Sequence, residues 1–368
     1  MKILYHSRTF ATGGGRIHID EIVKNLKQLE HNVKLVEPIS GGRKGKASSL
    51  SKLKSKLPAF ISEILELLYN FKDYKDLSKN KHYDFIYERH ALYNLAGMWY
   101  AKKNNIPFIL EVNSPLTYER SKFGNLFFKK IAKKLELKVF KSATKIFCVS
   151  EQLKKILIGY GVDKDKITSM HNGIDKNITI KKKSELIEKL NLKNKKIIGF
   201  VGYLLKWHGG KTMVSALKKL FNEDKDIVFL LIGGVDYNLK LNGIEKEKFV
   251  ILKDISHDKI YDYINLFDIG ILADCNEYCS SMKVIEYMGL EKSVVVPKRK
   301  AIEEIVKNNE TGLVITPNNS EKLYSAIKQL LKNEKLRIKL GKNARKFILK
   351  NKMTWQDNAK NIINSVKL

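Results

Sequence analysis

Twice along this chain a short apolar strand runs through a glycine-rich turn into a helix with one apolar face. The first instance is KILYHS, then TFATGGG, then RIHIDEIVKNLKQL, in which Ile19, Ile22, Val23 and Leu26 share a helical face. The second is KIIGFV, then GYLLKWHGG, then a helix expected over 211–220. A further strand, NVKLV, follows the first helix and completes a βαβ unit. Its right-handed crossover implies a parallel sheet.

The rhythm continues on both sides. In the first half, strands are expected at 85–87, 108–112 and 145–149, with helices at 92–103 and 126–140. In the second, strands fall at 227–232, 250–252, 269–272 and 294–296, with helices at 258–266, 283–289 and 320–333. A chain of 368 residues exceeds what one core usually serves. The expectation is an α/β chain of two Rossmann-like domains: 1–172, a polar lysine-rich linker at 173–194, and 195–350. Open α/β sheets bind ligands beyond the carboxyl ends of their strands, so facing domains would hold the site in a central cleft.

Charge narrows the partners. With 69 Lys and Arg against 39 Asp and Glu, the net charge of +30 favours an anionic partner, although lysines spread through nearly every segment equally describe a basic surface. Aromatic-basic repeats, a recognition helix and a zinc module are all missing, so nucleic acid is not expected. The segment 41–62 carries Arg43, Lys44, Lys46, Lys52, Lys54 and Lys56 and no acid, then leads into Ile64, Leu65, Leu67 and Leu68. This pattern suits an anionic membrane surface, and a solvated loop before a core-facing helix explains it as well. No window reaches the ~20 apolar residues of a membrane span, and the opening residues are too short for a signal peptide, so a cytoplasmic protein is expected. Three cysteines without metal-ligand spacing give neither a disulfide framework nor a zinc site.

The run EYCSSMKVIEYMG places backbone amides near Ser280, Ser281 and Met282 at the head of a helix carrying Lys283 and Glu286. Such amides and the lysine suit a phosphate, while the carboxylate can accept two hydrogen bonds from vicinal hydroxyls. A capped helix with a solvated Lys/Glu pair is the plainer account. Gly14 and Gly15 offer close backbone approach at the first turn. In the equivalent turn of the second half, beyond Gly202, Lys206 and His208 offer a cation and a donor for charge on a departing diphosphate. The DKD triplets at 163–165 and 224–226 have metal-like spacing but lie in helix-to-strand connections, and read as solvated turns.

Taken together, GGGRIHIDEIVKNL, HNVKLVEP, IFCVSEQLKK, HNGID, FVGYLLKWHGG, LLIGG, EYCSSMKVIEYMGLEKSVVVP and EEIVKNNETGLVITP resemble the GT-B glycosyltransferases, specifically retaining family 4. IYERHALYNLAG and IPFILEVNSPL resemble a bacterial subgroup associated with surface polysaccharides. The resemblance implies an acceptor-side first domain, a second domain that binds a nucleoside-diphosphate sugar, and a helix within 351–368 crossing back to the first. It implies transfer of a hexose, with retention, to a saccharide or lipid-linked hydroxyl, without cofactor or metal. Donor contacts fall on Gly14, Gly15, Gly202, Tyr203, Glu277, Ser280, Ser281, Met282, Lys283 and Glu286. Tyr203 and His208 stand where the family commonly has arginine and lysine, and Tyr278 stands where it has a glutamate, with Glu277 one place earlier. Lys206, His208 and Asn113 are the implied catalytic group, Asn113 standing where the family has a histidine. Arg8, His18, Arg89 and Glu111 are the acceptor-side candidates, with His90 beside them. The changed positions keep two alternatives open: a weak or inactive partner subunit, and a sugar-nucleotide epimerase.

Overall fold

The first strand of the chain, β1 (Lys2–Ser7), is buried from Ile3 onward, and it takes a place inside its sheet. β2 (Asn32–Val36) and β3 (Phe85–Arg89) pair with it on either side, and β4 (Phe108–Val112), β5 (Lys145–Cys148) and β6 (Ile167–Ser169) continue outward. The order β2-β1-β3-β4-β5-β6 is parallel at every pairing. Strands buried along their whole length, such as Phe108–Val112, reflect a sheet covered on both faces. Helices α1 (Gly14–Gln28), α2 (Ala59–Ser78), α3 (Ala96–Asn104), α4 (Leu116–Phe123), α5 (Lys129–Ser142) and α6 (Glu151–Gly159) supply the connections. The computed structural model describes residues 1–8, 13–37, 57–178, 180, 183–236, 239, 241 and 244–366.

The second sheet runs β12-β11-β10-β7-β8-β9, again parallel throughout. Its strands are β7 (Lys196–Leu204), β8 (Ile227–Val235), β9 (Phe249–Leu252), β10 (Ile269–Ile271), β11 (Ser293–Pro297) and β12 (Leu313–Ile315). The helices that follow α6 are α7 (Lys183–Lys189), α8 (Gly210–Glu223), α9 (His257–Ile264), α10 (Met282–Gly289), α11 (Lys300–Ile305), α12 (Ser320–Lys332), α13 (Glu334–Lys350) and α14 (Trp355–Asn364). The chain divides into one unit of Met1–His171 with Asn358–Leu368 and a second of Asn172–Asp357. The division therefore falls within α14. Trp355, only 1% exposed, donates its amide to Ile174 O at 3.2 Å in the second unit, and Asn358 donates to His171 O at 2.9 Å in the first.

Several elements differ from the sequence reading. β7 does not stop at Val201 but runs to Leu204, because Gly202 pairs with Gly233 of β8. A Cβ at Gly233 would lie 2.3 Å from Gly202 O, so only glycine allows this approach. The third helix starts at Ala96 rather than at residue 92, after Tyr93 takes φ 62°. The stretch expected to be an interdomain linker contains α7. Strands β6 and β12 are three residues each, too short to show a period.

Helix α2 turns most of its apolar positions outward. Its buried residues are Glu63, Asn70, Asp73 and Leu77, whereas Leu65, Leu68 and Phe71 are exposed. The core-facing reading holds for Leu67, which packs on the Leu92, Tyr93, Leu126 and Ala132 cluster, and not for Ile64, Leu65 and Leu68, because the other positions facing the unit are filled by a polar network. Residues 41–56 of the basic segment lie outside the described residues.

Candidate functional site

In the second unit the ends of β7 and α10 are joined by one bond. Val201 N donates to Tyr287 Oη at 2.7 Å, which ties α10 to the sheet. Lys283 lies four residues before Tyr287, on the same helical face, and so comes beside Gly202. A Cβ at Gly202 would lie 3.6 Å from Lys283 Cε, and the φ of 108° there favours glycine in its own right.

The loop after β7 folds back onto the same lysine. His208 Nδ1 is 2.8 Å from Tyr203 O, so this nitrogen carries the proton and donates. Nε2 is then the lone-pair nitrogen, 3.4 Å from Lys283 Nζ, and accepts from the ammonium. Burial first, and then the Lys283 charge, push the imidazole down to about 3, against the opposing bond to Tyr203 O. His208 is neutral at pH 7. Burial also lowers the Lys283 pKa, opposed by Cys279, Cys275 and Glu286, and Nζ sits 5.0 Å from the Phe200 ring centroid. Gly209, at φ 73°, lets the loop close on Ala273, and Asp274 N donates to His208 O at 3.2 Å. Lys283, itself among the expected donor contacts, is the cation that lies beside His208. Lys206 itself is exposed, as are Tyr203 and Trp207.

The loop before α10 is pinned at both ends. Asn172 N donates to Ser280 Oγ at 3.2 Å and Asn172 Nδ2 to Ser280 O at 2.6 Å, which gives the HNGID segment its local purpose. Glu277 accepts from Arg299 Nη1 at 2.8 Å and from Lys300 N at 3.0 Å, so its carboxylate is engaged at the start of α11. Burial opposes its ionisation, but the Lys300 amide and Arg299 hold its pKa below the ordinary carboxylate value. Tyr278 is buried. The first bonds within α10 are Val284 N and Ile285 N to Ser281 O, at 3.1 and 3.2 Å. The amides of Ser281, Met282 and Lys283 therefore precede the ladder, at the positive end of the helix dipole. Glu286, 4% exposed, has Oε1 3.5 Å from His257 Nε2. His257, the first residue of α9, was not foreseen; nothing in its local sequence links it to Glu286, 29 residues away.

In the first unit the candidates gather around Glu111 at the end of β4. Arg89 is its register partner on β3 and donates to Oε1, as does Asn113 Nδ2 at 2.6 Å. Tyr87 Oη donates to Oε2 at 2.9 Å, and His18 Nε2 lies 2.8 Å from the same oxygen. Burial opposes the charge on Glu111, but the fields of His18 and Arg89 and the bonds from His18 and Asn113 outweigh it and hold the carboxyl far below its usual range. Glu111 is a fixed anion that positions Arg89, Asn113 and His18. Gly14 and Gly15 open α1, entered through Gly13 at φ 87°.

Arg8 belongs to a separate network. Its Nε donates to Asp73 at 2.5 Å and its Nη2 to Asn70 Oδ1 at 2.8 Å, while His6 Nδ1 is 2.6 Å from Glu88 Oε2. His90 pairs with Glu136 at 3.1 Å.

Two parallel Rossmann-like units in tandem make the GT-B fold. Residues 12–177 match the family model "Glycosyltransferase Family 4" and residues 182–347 match "Glycosyl transferases group 1". The chain is a glycosyltransferase built from these two domains in series. It is 25% identical to the uncharacterized glycosyltransferase MJ1069 of Methanocaldococcus jannaschii, over 95% of this chain and 93% of that protein. It is also 25% identical to the N,N'-diacetylbacillosaminyl-diphospho-undecaprenol alpha-1,3-N-acetylgalactosaminyltransferase of Campylobacter jejuni, over 76% of each. Among solved structures, Anabaena HepE in complex with UDP and glucose superposes with a TM-score of 0.74 at 17% identity, covering 100% of this chain and 99% of that one.

Proposed function

We propose that this glycosyltransferase moves a hexose from a nucleoside-diphosphate sugar to a hydroxyl of a saccharide or lipid-linked acceptor in cell-surface glycan assembly, with retention. The observation that carries this reading is the Lys283 ammonium held by neutral His208 beside the amides of Ser281 to Lys283. A diphosphate needs fixed positive charge and donors in a partly dry setting, and these groups supply both. HepE, with UDP and glucose bound, and the Campylobacter enzyme, whose acceptor is named as a diphospho-undecaprenol, support the donor and acceptor classes respectively.

In the step itself, the bond from the anomeric carbon to the diphosphate oxygen breaks and a bond from the acceptor oxygen forms. The acceptor proton passes to the departing phosphate, so no protein base is required. Lys283 and the helix amides stabilise the charge that grows on the leaving diphosphate. Glu286, set by His257, accepts from the ribose hydroxyls. Asn113 offers a hydrogen-bond donor to a sugar hydroxyl and has no proton to transfer. The positive charge comes from the protein, and the reading requires no metal or cofactor. The protein would act at the inner face of the cell membrane.

The test is nucleoside diphosphate release from a panel of sugar nucleotides, with and without lipid-linked saccharides. Acceptor-dependent release is the expected result. Donor binding without release would favour a non-catalytic partner subunit, a reading prompted by the exposed aromatic Tyr203 where a cation is common. No binding of any donor would sink the donor-site assignment.

A further inference from the structure

Helix α2 is built inside out. Its inward face carries Glu63, Asn70 and Asp73, each at most 5% exposed. Its outward face carries Phe60, Ile64, Leu65, Leu68 and Phe71, each at least 41% exposed. The polar face is fully engaged. Glu63 accepts from Tyr93 Oη and Phe127 N, both at 2.6 Å, and from Phe128 N at 2.9 Å. Asn70 accepts from Leu95 N at 2.7 Å and donates to Tyr93 O at 2.8 Å. Asp73 is bound by Arg8. Satisfied buried polar groups of this kind fix one orientation of a helix, since turning it would strand each of them without a partner. The fold thus holds an apolar stripe in water.

Neighbouring elements extend the stripe. Phe127 packs on Phe60 with ring centroids 5.7 Å apart, and Phe127 and Phe123 are each 63% exposed. The surrounding charge is of one sign. From residue 118 to 134 the exposed charged side chains are all lysines: Lys122, Lys129, Lys130, Lys133 and Lys134. On α2 the exposed charges are Lys72 and Lys75. The acids nearby are turned in or paired, Glu66 with Arg120 at 2.7 Å and Glu136 with His90 at 3.1 Å.

We infer that this face of the first unit docks on the surface of an anionic lipid bilayer, with the apolar stripe entering the acyl boundary and the lysines meeting the headgroups. A second copy of the chain would set lysine rim against lysine rim, so charge complementarity favours lipid. The inference rests on the membrane-side part of the function proposed above and gives it a described surface: it lies on α2, α4 and the start of α5.

The full chain is mixed with vesicles of phosphatidylcholine alone or with phosphatidylglycerol, and sedimented. Binding to the anionic vesicles only, weakening as salt rises, is the expected result. Leu68→Asn with Phe71→Ser should reduce partitioning by roughly tenfold or more. Lys129→Glu with Lys130→Glu should reduce it by about fivefold for each charge removed. Nucleoside diphosphate binding by the same preparations should be unchanged, which reports folding and keeps the donor-site reading separate. Failure of the wild-type chain to sediment with anionic vesicles would overturn the inference. So would sedimentation of both variants equal to that of the wild type, or a dimer in solution that the apolar variant dissociates.

Discussion

Lys283 Nζ lies 3.4 Å from Nε2 of His208, and the other ring nitrogen of His208 is committed to Tyr203 O at 2.8 Å. The tautomer follows from the second bond, and the direction of the first follows from the tautomer. His208 is therefore an acceptor that aims a cation, whereas its sequence position suggested a donor to the substrate.

If Lys283 is the diphosphate cation, Lys283→Met should weaken nucleoside diphosphate binding by about 2–4 kcal/mol. Lys283→Arg should recover part of the loss. Calorimetric titration of nucleoside diphosphates measures both, and an unchanged affinity in the methionine variant would contradict the role.

His208 acts through Lys283, and its substitution should separate position from charge. His208→Phe removes the acceptor and should raise KM for the donor more than it lowers kcat, while His208→Gln, which keeps an acceptor, should recover donor affinity. Its folded pKa of about 3 lies below the ordinary histidine value of 6.5. This stability is present above about pH 6.5 and is lost as pH falls toward 3. Acid unfolding should begin at lower pH in His208→Gln; an unshifted acid limb would count against a buried neutral imidazole.

The opposite sign holds for His6. Burial disfavours its charge, but hydrogen bonds to Asp73 and Glu88 and their negative fields outweigh it and raise the pKa from 6.5 to about 9. Arg8 shares Asp73 in the same network. A raised folded pKa gives stability that is complete below about pH 6.5 and lost as pH rises through 9, on the order of 3 kcal/mol in all. Denaturant unfolding between pH 7 and 10 should show this loss, and His6→Ala should be less stable at pH 7 with a flatter alkaline limb.

Gly202→Ala should cost about 1–3 kcal/mol, because φ 108° is strained for any side chain. Thermal unfolding measures it. Since Lys283 lies alongside, donor affinity should fall in the same variant; a drop in stability alone would place the glycine in the turn and not in the site.

Much of the fold was readable because strands buried on both faces are short continuous apolar runs, as at 108–110 and 294–296. The helix head at Ser281 and Met282 was readable from local order. Pairings across the chain were not: Lys283 with His208 is 75 residues apart, and Glu286 with His257 is 29. The same limit explains Glu277, whose partner Arg299 lies on the far side of β11, and Arg8, whose partner Asp73 comes from α2. In α2 the hydrophobic pattern identified an amphipathic helix but left open whether its apolar face met the core or a surface, because Glu63, Asn70 and Asp73 find partners inside that composition does not reveal.

The most direct test of the account is titration of one nucleoside-diphosphate sugar into the wild-type chain, Lys283→Met and Glu286→Gln, followed by acceptor-dependent release on the same samples. The account predicts tight binding and release by the wild type, binding weakened about a hundredfold by loss of Lys283, and a smaller loss at Glu286. Equal binding by all three proteins would contradict a donor site at the head of α10.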